Sequence, residues 1–127
     1  MDDIQQKKLW CMDMWMSIRE QNCTITQYLK DHNVQSVGVY GYGRLGRHLV
    51  WELNNEGYSI SWIMDRRYDS LDSNSCKLIS PDDMRYLKET DLIIVTALDD
   101  YDDIEADFSR YTRTEIMSIE HLIKIYL

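Results

Sequence analysis

Three glycines and one carboxylate carry the chemical signal of this chain. Gly41-Tyr42-Gly43-Arg44-Leu45-Gly46 is a GxGxxG run, and Asp65 stands 19 positions beyond Gly46. Gly41 permits a tight turn out of a strand. Gly43 has no Cβ, so a pyrophosphate can approach the backbone there, and Gly46 lets the next helix lie close on the preceding strand. The amino end of that helix offers N–H groups and partial positive charge to an anion. Asp65 can accept hydrogen bonds from two ribose hydroxyls. Arg44 can add charge for a phosphate, whereas Arg47 is expected to face solvent. Arg66 and Arg67 pull against Asp65. The acid repels a 2′-phosphate, and an arginine beside it accommodates one. Two solvated arginines at a strand end is the plainer reading of that pair.

These residues need a strand, a turn and a helix, and the pattern supplies them. Val37-Gly38-Val39-Tyr40 reads as a short buried strand. Gly43 to Glu56 reads as a helix, with Leu45, Leu49, Val50 and Leu53 on one face. Gly57 is its expected stop. Ser59–Met64 is a second strand that delivers Asp65, Asp69 to Asn74 a polar loop, and Cys76–Ile79 a third strand. Ser80 is expected to cap a helix with Pro81 at its first position. Leu92–Val95 is fully apolar, as a strand covered on both faces should be, and it leads into Thr96. A helix over about 102–110, a strand at Glu115–Met117 and a terminal helix begun at Ser118 complete the alternation. Upstream, residues 4–19 and 25–32 read as helices, the second with Thr24 as N-cap.

Strands alternating with helices from residue 36 onward predict an α/β domain. The expectation is three layers around a mostly parallel sheet of about four to five strands, with the first strand central. The division expected is a helical extension over 1–35 and the α/β unit over 36–127. The chain has 127 residues, enough for a real core. Its net charge of −8 argues against nucleic acid and anionic membranes as main partners. No apolar run approaches the ~18–20 residues of a membrane helix. The acidic start Met1-Asp2-Asp3 lacks a secretory pattern. Cys11, Cys23 and Cys76 form no CxxC pair. Together these predict a reducing, cytoplasmic setting with each cysteine a small, partly buried apolar residue.

The stretch from Val37 to Asp65 resembles the NAD(P)-binding Rossmann fingerprint. The later run, with Ile79-Ser80-Pro81-Asp82, Asp91 to Thr96 and Ser118-Ile119-Glu120, is similar to small Rossmann-like domains found with bacterial surface-polysaccharide enzymes and to Rossmann-like CoA-binding domains. The resemblance covers about residues 36–127. It implies NAD or NADP as cofactor, held by Gly41, Tyr42, Gly43, Arg44, Leu45, Gly46, Asp65, Arg66, Arg67 and Thr96. It implies a small dinucleotide-binding protein, an oxidoreductase or a nucleotide-sugar enzyme component.

The sequence assigns no catalytic residue. There is no Tyr-x-x-x-Lys, GxSxG, HExxH or Walker A motif. His32, His48 and His121 are scattered and read as exposed helix residues. The run stops short of a second mononucleotide-binding half, so the nicotinamide side is expected to be incomplete or supplied by another subunit. Any hydride transfer would need a separate partner. The cluster Asp99, Asp100, Asp102, Asp103, Glu105 and Asp107 reads first as a loop and helix start favoured by the dipole. A divalent-cation site and a patch for sugar hydroxyls or a cation are the alternatives. Trp10, Trp15 and several methionines spread around the first helix. They read as core packing, with a homodimer contact as the sharper alternative. A different class of function also stands open: a dimeric regulatory or scaffold module whose glycine turn is only structural. Binding of CoA or a nucleotide sugar is a third.

Overall fold

A computed structural model describes residues 2–70 and 77–127. The chain is α/β, with five parallel strands in the order β3-β2-β1-β4-β5. The strands are β1 (Ser36–Tyr40), β2 (Ser59–Met64), β3 (Leu78–Ile79), β4 (Leu92–Val95) and β5 (Glu115–Ser118). The first strand is central, as expected. The helices are α1 (Asp3–Glu20), α2 (Thr26–Asp31), α3 (Arg44–Asn55), α4 (Tyr101–Ser109) and α5 (Ile119–Lys124). No described helix is long and apolar enough to cross a membrane.

Side-chain alternation along the strands divides the core in two. Val37, Val39, Leu92 and Ile94 face one side, with apolar residues of α1, α2, α3 and α5. Ile93 and Val95 face the other, with Ile104 and Phe108 of α4 and Met84 from the segment after β3. This makes a three-layer, Rossmann-like arrangement.

A register shift fits β2 to both layers. Val37 pairs with Ile60, but Gly38 pairs with Trp62, so Ser61 is the extra residue. Strict alternation would send Ile60 and Trp62 to the same face. The shift instead leaves Ile60 on the first core and Trp62 on the second. Trp62 then lies across β1, where a Cβ on Gly38 would stand 2.3 Å from its ring.

α1 is capped by Asp2, whose side chain accepts the Gln5 N–H. Cys11, Trp15 and Ile18 are buried at i, i+4, i+7 spacing, and Trp10, Met12 and Met14 pack partly on the same core. α1 rests against α5 and the turn after β4. Burial pushes the Cys11 thiol up to about 11. Cys23 is exposed, which corrects its reading as partly buried. It follows α1 in an exposed connection, beyond the buried stripe.

Three local expectations change. The segment after Ser80 is a 3₁₀ helix, Pro81–Tyr86, although Ser80 caps it and Pro81 opens it. Its contacts recur at Met84 and Leu87, a spacing of three that matches the 3₁₀ repeat. Thr24 does not cap α2. Ile25 holds the cap position with its side chain sunk in the core, and the Thr24 hydroxyl pairs with that of Thr26. β3 is shorter than expected, and Cys76, with most of the polar loop before it, lies outside the described residues.

Candidate functional site

The site grows from the point where the connections out of the sheet diverge. β1 continues into α3 on one face, and β4 leads to α4 on the other. The carboxyl ends of β1 and β4 are neighbours, so a crevice opens beyond them, the usual place for a ligand in such sheets. A cavity of about 450 Å³ occupies it.

Each glycine of the turn has a visible reason. Gly41 has φ +103°, and a Cβ there would stand 2.4 Å from the Thr96 hydroxyl. Gly46 faces Gly41 so closely that a Cβ would lie 1.9 Å from the Gly41 carbonyl oxygen. Gly43 differs: the one atom near its Cβ position is Nη2 of Arg67, at 3.7 Å. Gly43 is also the N-cap of α3 and supplies no side-chain acceptor to its first turn. The amino end of a 12-residue helix thus meets the cavity. A pyrophosphate fits this cradle, which a larger side chain at Gly43 would fill.

Of the ten residues singled out in the sequence, nine line the cavity; Tyr42 is the exception. Tyr42 turns its ring into the core. Its N–H donates to Asp65 Oδ2 at 2.7 Å. Asp65 is 6% exposed. Its Oδ1 accepts the Arg67 N–H at 2.8 Å and faces Arg67 Nε at 3.4 Å. The carboxylate therefore ties the end of β2 to the glycine turn. Thr96 is also internal: its hydroxyl lies 3.1 Å and 3.0 Å from the carbonyl oxygens of Tyr40 and Gly41.

The two arginines after β2 part ways. Arg66 pairs with Asp100 at 3.1 Å near Tyr40, whose hydroxyl burial pushes above its usual pKa. Arg67 turns to the glycine turn. Both side chains stay more than half exposed. Arg44 and Lys8 line the same cavity and make no ion pair with a described residue. Four cations against Asp65, Asp99 and Asp100 make this crevice locally cationic in a chain of net −8.

Lys8 and Met12 of α1 carried no sequence signal for the site, since their arrival depends on how α1 docks. Tyr40 and Ala97 lie beside expected residues, and only Tyr40 is legible in the sequence, as a strand end. The acidic cluster is divided. Asp100 serves Arg66, Glu105 accepts from Tyr101, and Asp107 pairs with Arg110. Among the described residues no group of three or more His, Cys, Asp or Glu could hold a metal ion.

None of the histidines lines the cavity. His32 is exposed and stacks on Tyr28, and His121 is exposed on α5. His48 is not an exposed helix residue. It sits half-buried between Trp15 and Trp51, and burial, then Arg19, lowers its pKa. Nearby lies a buried cluster that sequence reasoning missed. Glu52 is fully buried on α3 and accepts the Trp15 indole N–H at 3.0 Å, with Arg19 at 3.3 Å. Burial raises the Glu52 pKa against the pull of Trp15 and Arg19. This clamp joins α1 to α3 outside the crevice. The crevice sets four cationic side chains around the amino end of α3.

No protein-family model matches the chain, and no curated protein matches it.

Proposed function

We propose that this chain is a small nucleotide-binding protein that takes NAD or NADP in the crevice beyond β1 and β4. The pyrophosphate would rest on the Gly41–Gly46 turn, with the adjoining ribose beside Asp65. The observation that carries this reading is Gly43. It caps a 12-residue helix with no side-chain acceptor, and its Cβ position is open apart from a guanidinium. Gly41 and Gly46 are explained by packing alone, whereas Gly43 is not. The surrounding cations support an anionic ligand. A bound nicotinamide would supply hydride chemistry. The chain's own residues would bind and orient it, and a partner would bring substrate and proton-transfer groups.

Calorimetric titration with NAD, NADH, NADP, NADPH, CoA and a UDP-sugar at low and moderate salt tests this. Saturable binding of one dinucleotide is the expected result. Silence across the set from folded protein would overturn it. A preference for CoA or the UDP-sugar would move the assignment to that ligand class. A second reading is a non-catalytic module acting through protein contacts, as a dimer. It draws support from exposed Leu9 and Met16 on α1 and Trp51 on α3.

A further inference from the structure

We infer that Asp65 is a positioning residue rather than the acceptor of a ribose diol, and that the crevice selects its ligand by a diphosphate met by Arg67 over the glycine turn. This rests on the nucleotide-binding reading above and names what in the nucleotide is recognised.

A ribose diol asks for an acceptor site on each carboxylate oxygen. Each oxygen of Asp65 already accepts a protein N–H, so a ribose could reach only the remaining lone pairs. Oδ2 takes the Tyr42 N–H at 2.7 Å, and Oδ1 takes the Arg67 N–H at 2.8 Å with Nε at 3.4 Å. At 6% exposure there is little open surface from which a sugar could add to them. The partners are also costly to displace. Tyr42 lies inside the turn and is anchored by its buried ring, so releasing its N–H would loosen the phosphate cradle itself.

The same carboxylate sets Arg67. Held at its backbone and Nε, the side chain brings Nη2 to 3.7 Å from the Cβ position of Gly43. A cation there runs against the preference of a helix amino end for negative charge. Arg44 opens the same helix and adds to the mismatch. A diphosphate resolves it, because guanidinium and helix N–H groups can both donate to its oxygens. Arg66 pairs with Asp100 at 3.1 Å, whereas the Arg67 guanidinium stands over Gly43.

The test uses the full chain, with folding checked by circular dichroism, and titrates NAD, ADP, 2′,3′-dideoxy-ADP, adenosine and inorganic pyrophosphate. ADP and its dideoxy analogue are expected to bind within about twofold of each other, pyrophosphate to compete, and adenosine to stay silent. Arg67→Gln should weaken ADP about tenfold or more, the loss expected for a charge-assisted bond. Asp65→Asn should weaken ADP and dideoxy-ADP equally, and adding Arg67→Gln to it should cost little more, whereas general loosening of the fold would leave the two losses additive. Several results would overturn the inference while leaving the proposed function standing. These are a dideoxy analogue about tenfold weaker than ADP, an Arg67→Gln variant with unchanged ADP affinity, or NAD binding with ADP and pyrophosphate silent. Silence of every phosphate compound would overturn both.

Discussion

The α-carbon of Gly46 lies so close under Gly41 that a side chain on it would collide with the Gly41 carbonyl, 1.9 Å from an added Cβ. That carbonyl is itself held by Thr96. Neither partner is the loose end of a flexible side chain. Gly46→Ala must therefore push α3 off β1. We expect a loss of about 1–3 kcal/mol, the usual cost of overpacking. A urea midpoint equal to wild type would show that the contact yields freely.

Gly43→Val separates architecture from binding. Its backbone is extended, with φ −81° and ψ −154°, and a Cβ meets only Arg67 Nη2 at 3.7 Å. The fold should lose about 1 kcal/mol or less, the scale of a poorer N-cap. Ligand binding should vanish, because the side chain fills the phosphate position. Retained affinity in the folded variant would make the glycine turn purely architectural.

The Glu52 clamp predicts a contrast between two substitutions. Glu52→Leu leaves the buried Trp15 N–H without an acceptor, at a cost of about 1–3 kcal/mol. Glu52→Gln keeps an acceptor and should cost less. Its pH dependence has a definite sign. The folded pKa of Glu52 lies above the ordinary 4.5, so its contribution is greatest below pH 4.5 and is lost as pH rises through the folded value. Measured against wild type, the glutamine variant should thus gain as pH rises from 4.5. A constant difference would contradict the buried placement.

His48 acts with the opposite sign. Its folded pKa lies below the ordinary 6.5, so its contribution is complete above pH 6.5 and declines as pH falls toward the folded value. His48→Phe keeps a ring between Trp15 and Trp51 without the titration. Wild type should lose more stability than this variant between pH 7 and pH 5, read from denaturant midpoints. The Glu52 slope is present in both proteins and cancels in the comparison.

The α/β class, the central first strand and the glycine turn are legible in the chain alone. Those depend on local patterns: the apolar face of Leu45, Leu49, Val50 and Leu53, the four apolar residues of β4, and glycines at fixed offsets. Spacing carries such information because it reflects the repeat of a helix or strand. The tertiary structure decided how the candidate residues are used. Asp65 and Tyr42 are 23 positions apart, and only the pairing of β1 with β2 brings carboxylate and N–H together. Arg66 and Arg67 are adjacent in sequence, yet one reaches Asp100 and the other the glycine turn. Lys8 and Met12 join the crevice because α1 docks beside it. Glu52 reads as one more polar position on an amphipathic helix until Trp15 arrives from 37 positions away. Local patterns specify which face of an element is buried; hydrogen-bond partners across the fold depend on packing between elements, and no short-range spacing encodes that.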